Sequence, residues 1–96
     1  MTKRIVLVDA AGMSISMLAN KMNEAVTTIG VSDSAARDQI ATDQPIVIMI
    51  APQVKYMHQR YEDDYGKDYP VVDINMMDYG MMRGANILHA ALDAER

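Results

Sequence analysis

The pattern of the chain predicts an α/β fold: a four-stranded parallel sheet flanked by helices on both faces, with a phosphate-binding loop after the first strand. Three observations carry this expectation. The runs Ile5 to Val8 and Ile46 to Ile50 are short and continuously apolar, as strands buried on both faces tend to be. Helical spacing follows the first run, with Ile15, Leu18, Met22, Ala25 and Val26 recurring on one face. Between them lies Asp9-Ala10-Ala11-Gly12-Met13-Ser14-Ile15-Ser16, a small-residue stretch that leads straight into the helix.

The first strand, Arg4 through Val8, ends at Asp9. Ser14 or Ser16 suits the N-cap of the following helix, because a hydroxyl oxygen accepts from the unpaired N–H groups of a first turn. Thr27 to Val31 predicts a second strand, weakened by Gly30. Ser32 or Ser34 caps a short helix through Ile40, and Asp43-Gln44-Pro45 makes a turn. Ile46 to Ile50 is the strongest strand. Pro52, tolerated in a first helical turn, opens a helix with Val54, Met57 and Tyr61 on one face. Glu62 to Tyr69 is acidic and contains Gly66, so it predicts a surface loop. Val71 to Ile74 forms the last strand and Asn75 to Gly80 a connecting loop. The final helix carries Ile87, Leu88, Ala91 and Leu92. Residues 1–96 make one domain, with no internal repeat, low-complexity run or linker.

Composition narrows the function. Half the residues are apolar, yet none is Phe or Trp, so the core is assigned to Ile, Val, Leu, Ala and the ten methionines. A net charge of −4 without a basic stripe opposes nucleic-acid binding. The longest apolar run, Ile46 to Pro52, is far too short to span a bilayer. The N-terminus enters a strand pattern at once, without the pattern of a secretory signal. The absence of cysteine excludes disulfides and cysteine-based metal sites. No Gly-Lys-Ser/Thr follows the loop glycine, and Gly12 stands alone, so neither a Walker loop nor a dinucleotide fingerprint is present. A cytoplasmic protein with no metal and no cofactor is expected, and a monomer fits the size.

In parallel sheets ligands sit at the C-terminal strand ends. Three segments converge there: Asp9 to Ser16, Ala51 to Gln53, and Asn75 to Gly80. Ala10, Ala11 and Gly12 let a backbone approach an anion closely, Ser14 and Ser16 add hydroxyl donors, and a helix N-terminus favours negative charge. The same small residues also suit a plain strand-to-helix turn, and spacing leaves both readings open. Asp9 stands where a side chain is placed to carry a phosphoryl group, yet a carboxylate competes with phosphate for the same donors. A receiver-type phosphoacceptor is disfavoured, because Asp9 has no acidic neighbour and Ile50 is followed by Ala51-Pro52, leaving too few oxygens for Mg²⁺. His58 and His89 each stand alone on helices and are assigned to the surface. Glu62, Asp63, Asp64 and Asp68 are assigned to a solvated acidic loop.

Three ordered blocks give the chain a resemblance to the IIB component of the lactose/cellobiose-type sugar phosphotransferase system. The Asp9 to Ser16 loop is similar to the family's cysteine, small residues and Gly-Met-Ser-x-Ser. Ala51-Pro52-Gln53-Val54-Lys55-Tyr56-Met57 is similar to its Gly-Pro-Gln-x-x-Tyr-Met. In Ile74 to Gly84, Tyr79-Gly80 and Gly84 match. The resemblance covers nearly the whole chain and is weakest from Met22 to Pro45. It implies a phosphoryl relay, in which a IIA protein donates from phosphohistidine to a IIB cysteine and IIB passes the group to a sugar held by the membrane-embedded IIC component. It also implies that the backbone of Ala10, Ala11, Gly12, Met13, Ser14, Ile15 and Ser16 cradles the phosphoryl group. Met13, Gln53, Tyr56 and Met81 or Met82 would form a nearby rim, and the protein would dock peripherally on its transporter.

The departure falls at the centre of the motif: the family's cysteine aligns with Asp9. Phosphocysteine therefore cannot form. Asp9 either imitates the phosphorylated state, with one charge where a phosphorylated thiol carries nearly two, or marks a binding and regulatory module without turnover. Its origin is a deliberate Cys-to-Asp change or natural divergence, and the intact loop around it favours the former.

Overall fold

Four apolar segments pair as one parallel sheet in the order β2-β1-β3-β4: β1 (Arg4–Asp9), β2 (Thr27–Ser32), β3 (Val47–Ile50) and β4 (Val71–Asp73). The computed structural model describes residues 3–10, 13–22 and 27–95. Ala11, Gly12, Ala25 and Val26, which the sequence places in the loop and the first helix, lie outside that set. The central strands are the most continuously apolar. Ile5, Val6, Leu7 and Val8 of β1 and Val47, Ile48, Met49 and Ile50 of β3 are all buried. Helices on both faces leave such strands no solvent side, which is why hydrophobicity runs along them instead of alternating.

Helix α1 (Met13–Met22) packs on β2 and against α5 (Gly84–Ala94). Helix α2 (Asp33–Asp43) lies over β1 and β2, and α3 (His58–Tyr65) over β4. Right-handed crossovers place α1 on one face and α2 and α3 on the other, and α5 packs beside α1. Gly30 marks the closest approach of helix to sheet. A Cβ there would lie 2.7 Å from the Ile15 backbone carbonyl, so the glycine that weakens β2 as a strand lets the first turn of α1 settle onto it. Gly84 plays the same part between α5 and α1, where a Cβ would sit 3.1 Å from the Lys21 carbonyl oxygen.

Several expectations need correction. The helix after β3 opens as a 3₁₀ segment, Pro52–Met57, with a break at Val54, before α3 begins at His58. The acidic stretch assigned to a loop from Glu62 is helical to Tyr65. Side-chain pairs four residues apart, His58–Glu62 and Gln59–Asp63, support that turn, and Tyr61 buries its inner face. Asn75 to Gly80 is not a plain loop either: Met76–Gly80 forms a short helix, α4. Helix α2 runs three residues past Ile40, to Asp43, and Gln44 ends it in the left-handed region at φ 46°. Ser14 and Ser16 lie inside α1, so neither is its N-cap. The expectation that methionine mainly fills the core fails at Met17, Met76 and Met77, which are exposed, while Met81 is exposed as the expected rim requires. Branched aliphatic residues, with Met22 and Met49, fill the space between sheet and helices.

Candidate functional site

β1 and β3 are neighbours, but the chain leaves them in different directions. After β1 it enters α1 on one face, and after β3 it enters the 3₁₀ segment and α3 on the other. The C-terminal gap between these two strands is the switch point of the sheet, the place where open α/β folds receive ligands. Val8 pairs with Ile50 in register, and the Ala51 N–H donates to the Val8 carbonyl at 2.9 Å. The exit of β3 is thereby fixed beside Asp9.

Asp9 is 8% exposed, and both of its carboxylate oxygens are engaged. Oδ1 accepts from the Ala10 backbone N–H at 2.7 Å, and Oδ2 accepts from the Tyr79 hydroxyl at 3.1 Å. A carboxylate removed from water without donors would be strongly disfavoured, and these two bonds offset that cost. Asp9 is therefore seated at the switch point with its oxygens turned to donors of this chain.

Tyr79 reaches Asp9 because α4 follows β4 directly. The Asn75 side chain accepts from the Asp78 N–H at 3.0 Å and caps this single turn. Asp78 accepts from Asn86 at 3.1 Å and pairs with Arg83 at 3.6 Å, tying α4 to the start of α5. Tyr79 points inward and is buried, while Met76, Met77 and Met81 are 76%, 66% and 59% exposed. Tyr56, in the 3₁₀ segment after β3, is 77% exposed. The edge of the sheet that holds Asp9 thus carries prominent apolar side chains on the segments that follow β3 and β4.

The predicted site residues divide by placement. Ala10 is exposed and donates to Asp9. Met13 and Ser14 belong to the first turn of α1, where backbone N–H groups of a helix lack intrahelical partners. Ile15 sends its side chain into the core, leaving its backbone alone near the loop, and Ser16 is exposed on α1. Gln53 is exposed beside Tyr56, Met81 is exposed and Met82 half-buried. Tyr79 is the residue that sequence reasoning passed over. Its motif match was visible, but nothing in a tyrosine seventy residues from Asp9 announces the bond between them. Met76 and Met77 were missed because they were counted as core.

His58 is not alone, contrary to expectation. Its Nδ1 lies 2.9 Å from Asp73 Oδ1 at the end of β4, and its Nε2 lies 3.2 Å from Glu62. The ring joins the first turn of α3 to the same sheet edge. His89 is exposed on α5, as expected, and so are Asp63, Asp64 and Asp68. On the far face of the sheet, Asp33 at the start of α2 accepts from Arg60 at 2.7 Å and from the Tyr61 hydroxyl at 2.5 Å. The Tyr61 hydroxyl bond holds the Asp33 carboxyl below its ordinary range, with a smaller contribution from Arg60. Burial, reinforced by Asp33, pushes the Tyr61 phenol upward.

Comparison with known proteins agrees with this fold. The model of the family described as PTS system, lactose/cellobiose specific IIB subunit, matches residues 4–90. The galactose-specific EIIB component of Lactococcus lactis subsp. cremoris is 35% identical over 100 residues, covering 93% of each chain. The oligo-beta-mannoside-specific EIIB component of Bacillus subtilis is 33% identical over 101 residues, covering 94% of this chain and 93% of that one. Among solved structures, the cellobiose-specific phosphotransferase IIB component of Borrelia burgdorferi superposes with a TM-score of 0.76 at 30% identity, over 99% of this chain and 93% of the other. The lactose-specific IIB domain of Streptococcus pneumoniae superposes with a TM-score of 0.72 at 17% identity over the full length of both, a likeness of fold alone. No helix among the described residues is long and apolar enough to cross a membrane.

Proposed function

The chain belongs to the lactose/cellobiose-specific IIB subunit family of the sugar phosphotransferase system, and on that premise we propose that it is a IIB component whose acceptor position carries a fixed carboxylate instead of a transferable phosphoryl group. One observation supports the proposal: Asp9, which the motif resemblance aligns with the family's acceptor cysteine, is buried with both oxygens bonded to donors of its own chain.

A phosphoryl relay needs a nucleophile that reaches an incoming phosphohistidine and a leaving group that surrenders the phosphoryl to a sugar. Neither requirement suits Asp9. One oxygen is held by the Ala10 N–H and the other by Tyr79, and a cysteine elsewhere in the chain does not exist to substitute. What Asp9 does supply is negative charge where the phosphorylated thiol would carry it. The mimicry is partial, because a carboxylate is planar, shorter and less charged than a phosphothiol.

Two further features support a IIB reading. The first turn of α1 follows four residues after Asp9, the arrangement that stabilises a phosphoryl group by backbone N–H donors. Tyr56, Met76, Met77 and Met81 give the same edge an adaptable apolar surface, suited to a protein that docks in turn on a cytoplasmic IIA donor and a membrane-embedded IIC component. The galactose, cellobiose and oligo-β-mannoside specificities of the relatives point to a β-linked or galactoside sugar at the end of the relay.

The test restores the missing group. The chain and its Asp9→Cys variant are each incubated with a phosphorylated IIA donor, and their intact masses are followed. A gain of one phosphoryl group in the cysteine variant alone is expected. A gain in the unaltered chain would mean an acyl phosphate on Asp9 and would overturn the proposal. No gain in either, across several donors, would favour a binding and regulatory module of IIB fold.

A further inference from the structure

Helix α4 is a single turn, too short to hold its own shape, so its anchors decide where its side chains stand. Two of them tie it to neighbouring chain: the Asn75 cap, and the bonds of Asp78 to Asn86 and Arg83. Tyr79 reaches the other way, to the Asp9 carboxylate at the end of β1. The bond is buried at both ends, where a charge-assisted hydrogen bond is strongest. In sequence Tyr79 is flanked by Met77, Met76 and Met81, all exposed. Any shift of the Tyr79 ring therefore moves the backbone from which these methionines project.

We propose that Tyr79 is a positioning residue that couples the side chain at position 9 to the pose of α4 and its methionine face. The carboxylate holds the Tyr79 hydroxyl, and Tyr79 holds the turn. A side chain without an acceptor at position 9 releases that tether while leaving the Asn75 and Asp78 anchors in place. With Asp9 the tether is permanent, so the docking face stays in the pose belonging to a charged position 9. This use of the coupling rests on the reading of position 9 as the family's phosphoryl centre, whereas the coupling itself is a property of the isolated chain.

The experiment uses the full chain with ¹³C-labelled methionine methyl groups. Four proteins are compared by NMR: the unaltered chain, Tyr79→Phe, Asp9→Ala and the double variant. Tyr79→Phe and Asp9→Ala should displace the Met76, Met77 and Met81 methyl resonances in the same direction. The double variant should add little to either, because each change breaks the same bond. Met22 and Met49, buried in the core, should keep their resonances and certify an intact fold. Should Asp9→Ala disturb Met22 and Met49, Asp9→Leu, of similar size and without an acceptor, takes its place under the same criteria. Additive displacements, displacements in unrelated directions, or unmoved α4 methyl groups would each overturn the proposal, since a tyrosine that merely fills space gives no coupling to position 9. No arm involves a IIA protein, so failure here and failure of the phosphoryl-acceptance test are separate results.

Discussion

At the scale of single residues, the proposed function turns on Asp9, buried at the end of β1. Its carboxylate has the donors it needs within the chain, one from the adjacent backbone and one from Tyr79. The role of Tyr79 in stability follows. Replacing it by Phe keeps the ring and removes the donor, leaving a buried carboxylate oxygen short of one bond. Hydrogen bonds to charged groups are worth about 1.5–3 kcal/mol. Tyr79→Phe should therefore lower the urea midpoint by an amount corresponding to about 1.5–3 kcal/mol, with the slope of the transition unchanged. An unaltered midpoint would mean that the bond to Asp9 contributes nothing to the folded state. This bond was invisible in the sequence because it is purely tertiary: neither residue belongs to a local pattern that involves the other. Asp9 itself was legible, since its place at the end of an apolar strand and before a small-residue loop needs only local order to read.

At the scale of elements, legibility followed the strength of the periodic signal. β1 and β3 were readable because burial on both faces leaves an unbroken apolar run, and α5 because Ile87, Leu88 and Ala91 keep helical spacing. Helix α4 was not, because one turn has no period to detect. The only sign was Asn75 three residues before Asp78, a capping arrangement that also occurs in ordinary turns. The C-terminal half of α3 is hard to read because charge and Gly66 resemble a loop, while the bond from the Tyr61 hydroxyl to Asp33 that ties the helix to α2 is a tertiary contact. That contact has a pH consequence. The Asp33 pKa is lowered in the folded chain, chiefly by the Tyr61 hydroxyl and then by Arg60. A depressed carboxyl contributes stability that is fully present above its unfolded value, near 3.8, and is lost as pH falls through the lower folded value. Tyr61→Phe should thus destabilise the chain by about 1 kcal/mol at pH 7, a figure kept small because Asp33 is partly exposed. The difference between the two proteins should shrink below about pH 4, near the unfolded carboxyl value. Urea titrations at both pH values check it, and a difference independent of pH would remove Asp33 from the account.

At the scale of the whole molecule, the fold delivers three chain segments to one edge of a parallel sheet: the exit of β1 with Asp9, the exit of β3 with Tyr56, and α4 with Tyr79 and the methionines. Asp9 is seated inside that edge, and the exposed apolar side chains stand on the segments that follow β3 and β4. A IIA protein forms two kinds of encounter in the relay: phosphorylated IIA with an empty acceptor, and unphosphorylated IIA with a charged one. Under the proposed function, a carboxylate at position 9 corresponds to the second. The most direct test measures, by calorimetric titration, the affinity of the unaltered chain and of Asp9→Cys for IIA in its phosphorylated and unphosphorylated forms. A non-transferable form of the phosphohistidine keeps the comparison at equilibrium. The unaltered chain should prefer unphosphorylated IIA, because like charges repel across a desolvated contact, and Asp9→Cys should relax or reverse that preference. Equal preference in the two proteins, or tighter binding of the unaltered chain to phosphorylated IIA, would contradict the assignment of Asp9 as a fixed charge in the place of the phosphoryl group.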